Sequence, residues 1–392
     1  MPLHFPQKEF EARIDAARAG MAARGLDGLL LFAPESHYYL SGYDTFGFAL
    51  FQCMVLPADG DLQLLTRAPD LRQAQQTSIL SDAQIHIWRD GEDDPHARLA
   101  ALLARLELLG RGKRLGIETQ TAGLTAHHGR RVETALSGKV GKVGKVELVD
   151  ASDLVRALRR RKSAAEIACH RRAAELSDDA LDAALRTTRA GAFEGDILAA
   201  MHSAIFAGGG DYPGNEFIIG SGPGALLCRY FSGRRHLDAR DQLTLEWSGA
   251  HRRYHAAMMR TLLVGAANDK QKRMHAAAVE ALSACEEAVR PGAPMGDVFD
   301  AHARVFDAHG FSHARLNACG YGMGATYTPC WMEQPMFHRG NSLLMETDNV
   351  FFLHMILMDS DAGLAMCLGH SVRVTDTAVE RLSRHKLDLV ER

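Results

Sequence analysis

Apolar residues between Phe10 and Gly25 recur at helical spacing, and Gly25 ends the run, so an amphipathic helix is expected there. Leu29-Leu30-Leu31-Phe32 is a short continuous apolar run that stops at Pro34, the pattern of a buried strand. Similar runs lie near Ala49–Leu56, Leu62–Leu65, Ile85–Trp88 and Leu115–Ile117, and a helical pattern covers Ala97–Leu109. Alternating strand and helix signals predict an α/β domain. Helical patterning returns at Ala151–Arg160 and, after Lys162-Ser163, runs to about Arg189. The domain boundary is expected near residue 160, giving domains 1–160 and 161–392.

The second half has a different rhythm. Strands are predicted over Gln242–Ser248, Ala257–Val264, Val350–Met358 and Leu364–Val374, with helices over Asp269–Val289 and Gly296–His309. This grouping predicts an α+β domain, with helices packed on a curved antiparallel sheet. Gly208-Gly209-Gly210 and the glycines of Phe217–Gly224 lack a following Gly-Lys-Ser/Thr, so tight loops are expected rather than a phosphate cradle. The tandem triplet of Lys139–Val146 is expected to be a surface loop or edge strand.

Composition narrows the class without naming a chemistry. With 392 residues, two domains are expected. A net charge of -3 gives no case for nucleic acid or anionic membranes as partners. The seven cysteines are odd in number and none has C-x-x-C spacing, so they are read as reduced thiols of a cytoplasmic protein. The N-terminus has no basic region followed by an apolar run, and no apolar run is long enough to cross a bilayer.

Several short motifs carry a resemblance. Gly25-Leu26-Asp27-Gly28 leads to Tyr39-Leu40-Ser41-Gly42-Tyr43, and Lys162-Ser163-Ala164-Ala165-Glu166-Ile167 stands at the expected domain junction. Ser221-Gly222-Pro223, Arg260-Thr261, Gly320-Tyr321-Gly322 and Val372-Arg373-Val374-Thr375 follow in order. Together they resemble the creatinase / prolidase / methionine aminopeptidase family, across nearly the whole chain. The resemblance implies a creatinase-like N-terminal domain and a pita-bread catalytic domain. It also implies a homodimer, in which residues near Tyr39–Phe46 border the other subunit's pocket.

Metallopeptidases of that family hold two Mn, Co or Zn ions with carboxylates and one histidine. Carried over by position, the first aspartate falls on Glu246, the second on Ala257, and the loop histidine on Tyr321. The two glutamates fall on His354 and near Gly369, with His370 beside it, and a substrate-facing histidine falls on Arg229. Most ligand positions therefore depart from the metal pattern. Glu246, Arg253-Tyr254-His255-Ala256, Tyr321 and Tyr327-Thr328-Pro329-Cys330-Trp331-Met332-Glu333 are similar to the ectoine-hydrolase branch, which cleaves C–N bonds of small amino-acid derivatives without the ions. Thr328, Cys330 and Met332 differ from that branch's Y-P-P-D-W-G-E, so the substrate is left open.

The residues themselves suggest roles for such a hydrolysis. Glu246, between Leu245 and Trp247, would be raised by burial toward a general base, or would attack directly; the plainer reading is an ion pair with Arg260 or Arg253. His255 would protonate the leaving nitrogen. His354, in the apolar run Phe351–Ile356, needs a partner, and His370 on the neighbouring strand is expected to face it. Tyr321 would donate to an oxyanion. Arg229 and Arg260 would clamp a substrate carboxylate, and Trp331 and Glu333 would line the pocket mouth. Cys330 is read as a passive neighbour. No cofactor is expected. The alternatives are an X-Pro dipeptidase using one divalent ion on Glu246, His255, His354 and His370, and a non-catalytic binding homologue of the fold.

Overall fold

The computed structural model describes residues 3–136, 146–229 and 233–392. They form two compact units, Met1–Arg159 and Arg160–Arg392. Most of the Lys139–Val146 triplet lies outside the described residues.

In the first unit the expected opening helix spans Gln7–Arg24. Gly25 caps it at φ 61, a left-handed conformation that costs glycine nothing, and its N–H closes on the last turn. The buried strand Gly28–Leu31 sits centrally in a six-stranded mixed sheet. It runs antiparallel to Cys53–Pro57 and parallel to Arg114–Ile117. The apolar run near Ala49–Leu56 is strand only from Cys53; it opens with a 3-10 turn at Gly47–Ala49. Helices Pro34–Ser41 and Ala126–Leu136 were not expected.

The second unit opens with Lys162-Ser163-x-x-Glu166. Ser163 accepts from the Glu166 N–H, and Glu166 accepts from the Ser163 N–H, a capping box that starts the helix Ala164–Thr187. The unit is built on a nine-stranded sheet. Its centre is the hairpin Asp241–His251 and Tyr254–Val264, flanked by Leu364–Val374 and Val350–Asp359, all antiparallel. Arg252 and Arg253 close the hairpin at φ 51 and φ 67, the geometry that matches strand twist in a two-residue turn.

Helices cover one face of this sheet. Leu243, Leu245 and Trp247 pack with Leu176, Ala180 and Ala184 of the first helix, and Leu353, Met355 and Leu368 pack with Met274, Ala278 and Phe299 of the later pair. The first contact is close. A Cβ on Gly249 would lie 2.1 Å from the Ala173 carbonyl oxygen. Ser177 uses the gap, accepting from the Gly249 N–H and donating to the Ala256 carbonyl, while the Trp247 indole donates to the Ser177 carbonyl at 2.9 Å.

Candidate active site

Successive side chains of a strand point to opposite faces, so register assigns each candidate to one side. Glu246 lies opposite Met259, Met259 opposite Gly369, and Gly369 opposite His354. Tyr321 lies opposite Phe352, two residues before His354. Glu246, Tyr321 and His354 therefore share the face that turns away from the helices, each brought by a different strand.

Burial pushes the Glu246 carboxyl up to about 7, with the Arg229 charge and a Tyr321 hydrogen bond opposing. That bond runs from the Tyr321 hydroxyl to Glu246 Oε1 over 3.3 Å. The Trp331 indole donates to the Tyr321 oxygen at 2.9 Å. Burial holds the Tyr321 hydroxyl well above the ordinary phenol range, so it remains a donor. His354 is buried and held down to about 4 by desolvation, so it is neutral at pH 7. Its ring centroid stands 5.7 Å from that of Tyr321, and its Nδ1 makes no hydrogen bond among the described residues. Arg229 is exposed on the segment after Gly222–Leu226, and its charge acts on Glu246, His354 and Cys228.

Other expectations are corrected by the geometry. His370 does not face His354: its register is shifted by one residue from Gly369, so it points into the helix-covered side and bonds Glu286 at 2.7 Å. Arg260 also points there. Its guanidinium donates to the Met259 and Gly369 carbonyls, and it forms no ion pair with Glu246. Glu333 does not line a mouth; it is buried 3.6 Å from Lys162 Nζ and packs against Gly324. Trp331 is buried in the core beside Phe217, reaching the site only through Tyr321.

His255 shares the site face but its ring is fully engaged. Nε2 accepts from the Gly214 N–H at 2.9 Å, which places the ring proton on Nδ1, directed at Thr326 Oγ1 3.1 Å away. Burial holds it down to about 4. It is a neutral loop anchor, and its one ring proton is directed at Thr326. Its neighbours in the Arg253-Tyr254-His255 run are also anchors. The Arg253 guanidinium lies over the Tyr327 ring, and the Tyr254 hydroxyl donates to Glu166 at 2.7 Å.

Sequence reasoning missed Thr244, Ser248, Thr261 and Cys367, which lie on the same face around Glu246. Thr261 Oγ1 accepts from the Cys367 N–H at 2.8 Å. Thr244 and Ser248 were findable, two residues either side of Glu246 on one strand. Burial raises the Cys367 and Cys228 thiols, which stay protonated and are poor nucleophiles.

This donor set does not suit a pair of hard cations. Glu246 is the one carboxylate among the site residues named above, and its Oε1 is already approached by Tyr321. A Cβ at Gly369 would lie 2.5 Å from the Leu353 carbonyl oxygen, so a ligating side chain there has no room. Glu246, His255, His354 and His370 do not converge, because His255 is engaged and His370 faces the other way. Among the described residues, no group of three or more His, Cys, Asp or Glu is placed to hold a metal ion.

Comparison with known proteins places the fold and the family. Residues 13–161 match the creatinase/prolidase N-terminal domain, and residues 168–379 match metallopeptidase family M24. The chain belongs to metallopeptidase family M24. It is 28% identical to an uncharacterized hydrolase/peptidase of Sinorhizobium fredii, covering 99% of this chain and 98% of the relative. It is 25% identical to the ectoine hydrolase of Halomonas elongata, covering 97% and 96%. Among solved structures, the dipeptidase PepE of Mycobacterium ulcerans aligns with a TM-score of 0.84 at 25% identity, over 99% of both chains. The recombinant prolidase of Thermococcus sibiricus aligns at 0.87 with 19% identity, over 98% of this chain and 99% of its own, a likeness of fold alone. The hydrolase family and the two-domain pita-bread architecture are thus established. No helix among the described residues is long and apolar enough to cross a membrane.

Proposed function

We propose that this member of the family hydrolyses a C–N bond, amide or amidine, in a small amino-acid derivative, using side chains in place of the dinuclear metal site. The observation that carries the reading is a buried Glu246 carboxyl raised to about 7 and touched by a Tyr321 hydroxyl, at positions that the resemblance gives to the family's ligands. A carboxyl at that value is matched to take a proton from the attacking water near neutral pH and return it to the leaving nitrogen as the C–N bond breaks; alternatively it attacks the carbon itself, and water then cleaves the resulting acyl bond. Tyr321 donates to the oxygen or nitrogen on which negative charge develops. His354 offers a ring nitrogen to the substrate. Arg229 supplies the positive charge for a substrate carboxylate. The full-length likeness to an ectoine hydrolase supports a small zwitterionic substrate.

The test is elemental analysis of the purified protein together with hydrolysis of ectoine, creatine and X-Pro dipeptides before and after exhaustive chelation. Hydrolysis of one of the first two should survive chelation and fall by about a thousandfold in Glu246→Gln. Stoichiometric metal whose removal abolishes activity would overturn the reading, as would a fully active Glu246→Gln.

A further inference from the structure

The Trp331 indole N–H is a donor with no acceptor capacity. It approaches the Tyr321 oxygen at 2.9 Å. The tyrosine has one hydrogen of its own, and with the indole N–H occupying its oxygen that hydrogen must point elsewhere. The acceptor facing it is Glu246 Oε1 at 3.3 Å. This distance is long for an O–H···O bond, whose usual value is about 2.7–2.8 Å. The contact is therefore directed but weak, and readily exchanged for a better acceptor on a substrate bound beside Glu246.

Trp331 is itself held. It is almost completely buried, its ring lies edge-on to Phe217, and its backbone N–H donates to Asn215 Oδ1 at 3.1 Å. The Asn215 amide nitrogen donates to the Glu216 carbonyl, which fixes which end of that amide accepts. The indole thus has a single direction, set by a loop outside the sheet.

We propose that Trp331 is a positioning residue that fixes the Tyr321 hydroxyl as a one-way donor, aimed at Glu246 in the resting site and at the reacting substrate atom during turnover. The inference rests on the role given above to Glu246. In the resting site the hydroxyl favours the ionised carboxylate. Once Glu246 takes up a proton or bonds to carbon, its oxygen loses charge. The same hydrogen is then free to bond the developing oxyanion or amide nitrogen, with no rotation of the tyrosine ring. Without the indole, the tyrosine oxygen would be open to accept from a protonated Glu246, and the hydroxyl would spend part of its time turned the wrong way.

The experiment is a carboxyl titration by NMR of the full chain carrying 13C-labelled glutamate, with Glu246→Gln assigning the resonance. In Trp331→Phe the Glu246 midpoint should rise by about one pH unit. Tyr321→Phe should raise it at least as far, and the double variant no further than Tyr321→Phe alone, because Trp331 acts through Tyr321. An unmoved midpoint in Trp331→Phe, or shifts that simply add, would overturn the proposal. If Trp331→Phe does not fold, the isosteric benzothienyl-alanine at position 331 removes only the N–H and decides the matter. The titration needs no substrate, so it fails or succeeds separately from the assignment of Glu246 to catalysis. An active Glu246→Gln would remove that assignment while leaving the hydroxyl's direction measurable.

Discussion

On the proposed reading, a single hydroxyl does two jobs at the centre of this site. The resemblance puts Tyr321 at a histidine of the family's metal pattern, and its hydroxyl holds the hydrogen that faces Glu246 at 3.3 Å. If it bonds charge that appears only in the transition state, removing it should lower kcat and leave KM nearly unchanged. Tyr321→Phe is therefore expected to reduce kcat by about a hundredfold. Steady-state kinetics on the substrate found by chelation-resistant screening checks this; a rise in KM at constant kcat would mean that the hydroxyl only holds the ground state. The raised Glu246 carboxyl was legible in the sequence, since a glutamate between Leu245 and Trp247 is set in a strand with buried neighbours. The bond to Tyr321 was not, because 75 positions separate the two and only strand register joins them.

At the scale of elements, the helix-covered face fixes how the site is presented. Gly249 lets the helix Ala164–Thr187 approach the hairpin backbone, and Ser177 stitches the two together. Gly249→Ala places a Cβ 2.1 Å from the Ala173 oxygen and 2.8 Å from the Ser177 nitrogen. Such overpacking should cost about 3 kcal/mol, read as a lower urea midpoint at unchanged slope; a variant of wild-type stability would show that the helix shifts freely. The hairpin, the helices Ala164–Thr187, Asp269–Ala288 and Met295–Ala308 and the last two strands follow from apolar periodicity, which is why their bounds come within a few residues, whereas the helix Glu194–Ala207 was not expected. The facing of His370 did not follow. An apolar run buried on both sides has no alternation to read, and a shift of one residue exchanges Gly369 and His370 between faces. His255 was misread for a different reason: its partners, Gly214 and Thr326, lie in loops whose path no periodicity describes.

At the scale of the whole molecule, the buried histidines set the response to acid. In the second unit, burial holds His255 and His354 down to about 4 and His302 to about 3, against 6.5 when unfolded. Between those values the unfolded chain binds more protons, so stability is full above 6.5 and is lost as pH falls. Glu246 acts in the opposite sense. Its folded value of about 7 exceeds the unfolded 4.5, so its contribution is lost as pH rises through that window. From pH 7 to 5, each of these three histidines should remove about 2 kcal/mol and Glu246 return about as much, and buried His170, also held well below its ordinary value, adds to the loss, so stability falls on balance. Denaturation at the two values, followed by the fluorescence of buried Trp247 and Trp331, checks the sign. Equal or greater stability at pH 5 would refute it.

The crowding at Gly369 has a consequence for the order in which changes can be made to this protein. Glutamate placed there alone meets the Leu353 carbonyl oxygen at 2.5 Å and the Phe352 ring at 3.0 Å. Aspartate at 257, by contrast, starts from a buried alanine opposite Ser248 on the site face. Building a two-ion site on this sheet must therefore move the strand Val350–Asp359 before it adds a carboxylate at 369. Glutamate added at 369 first lowers stability and supplies no ligand.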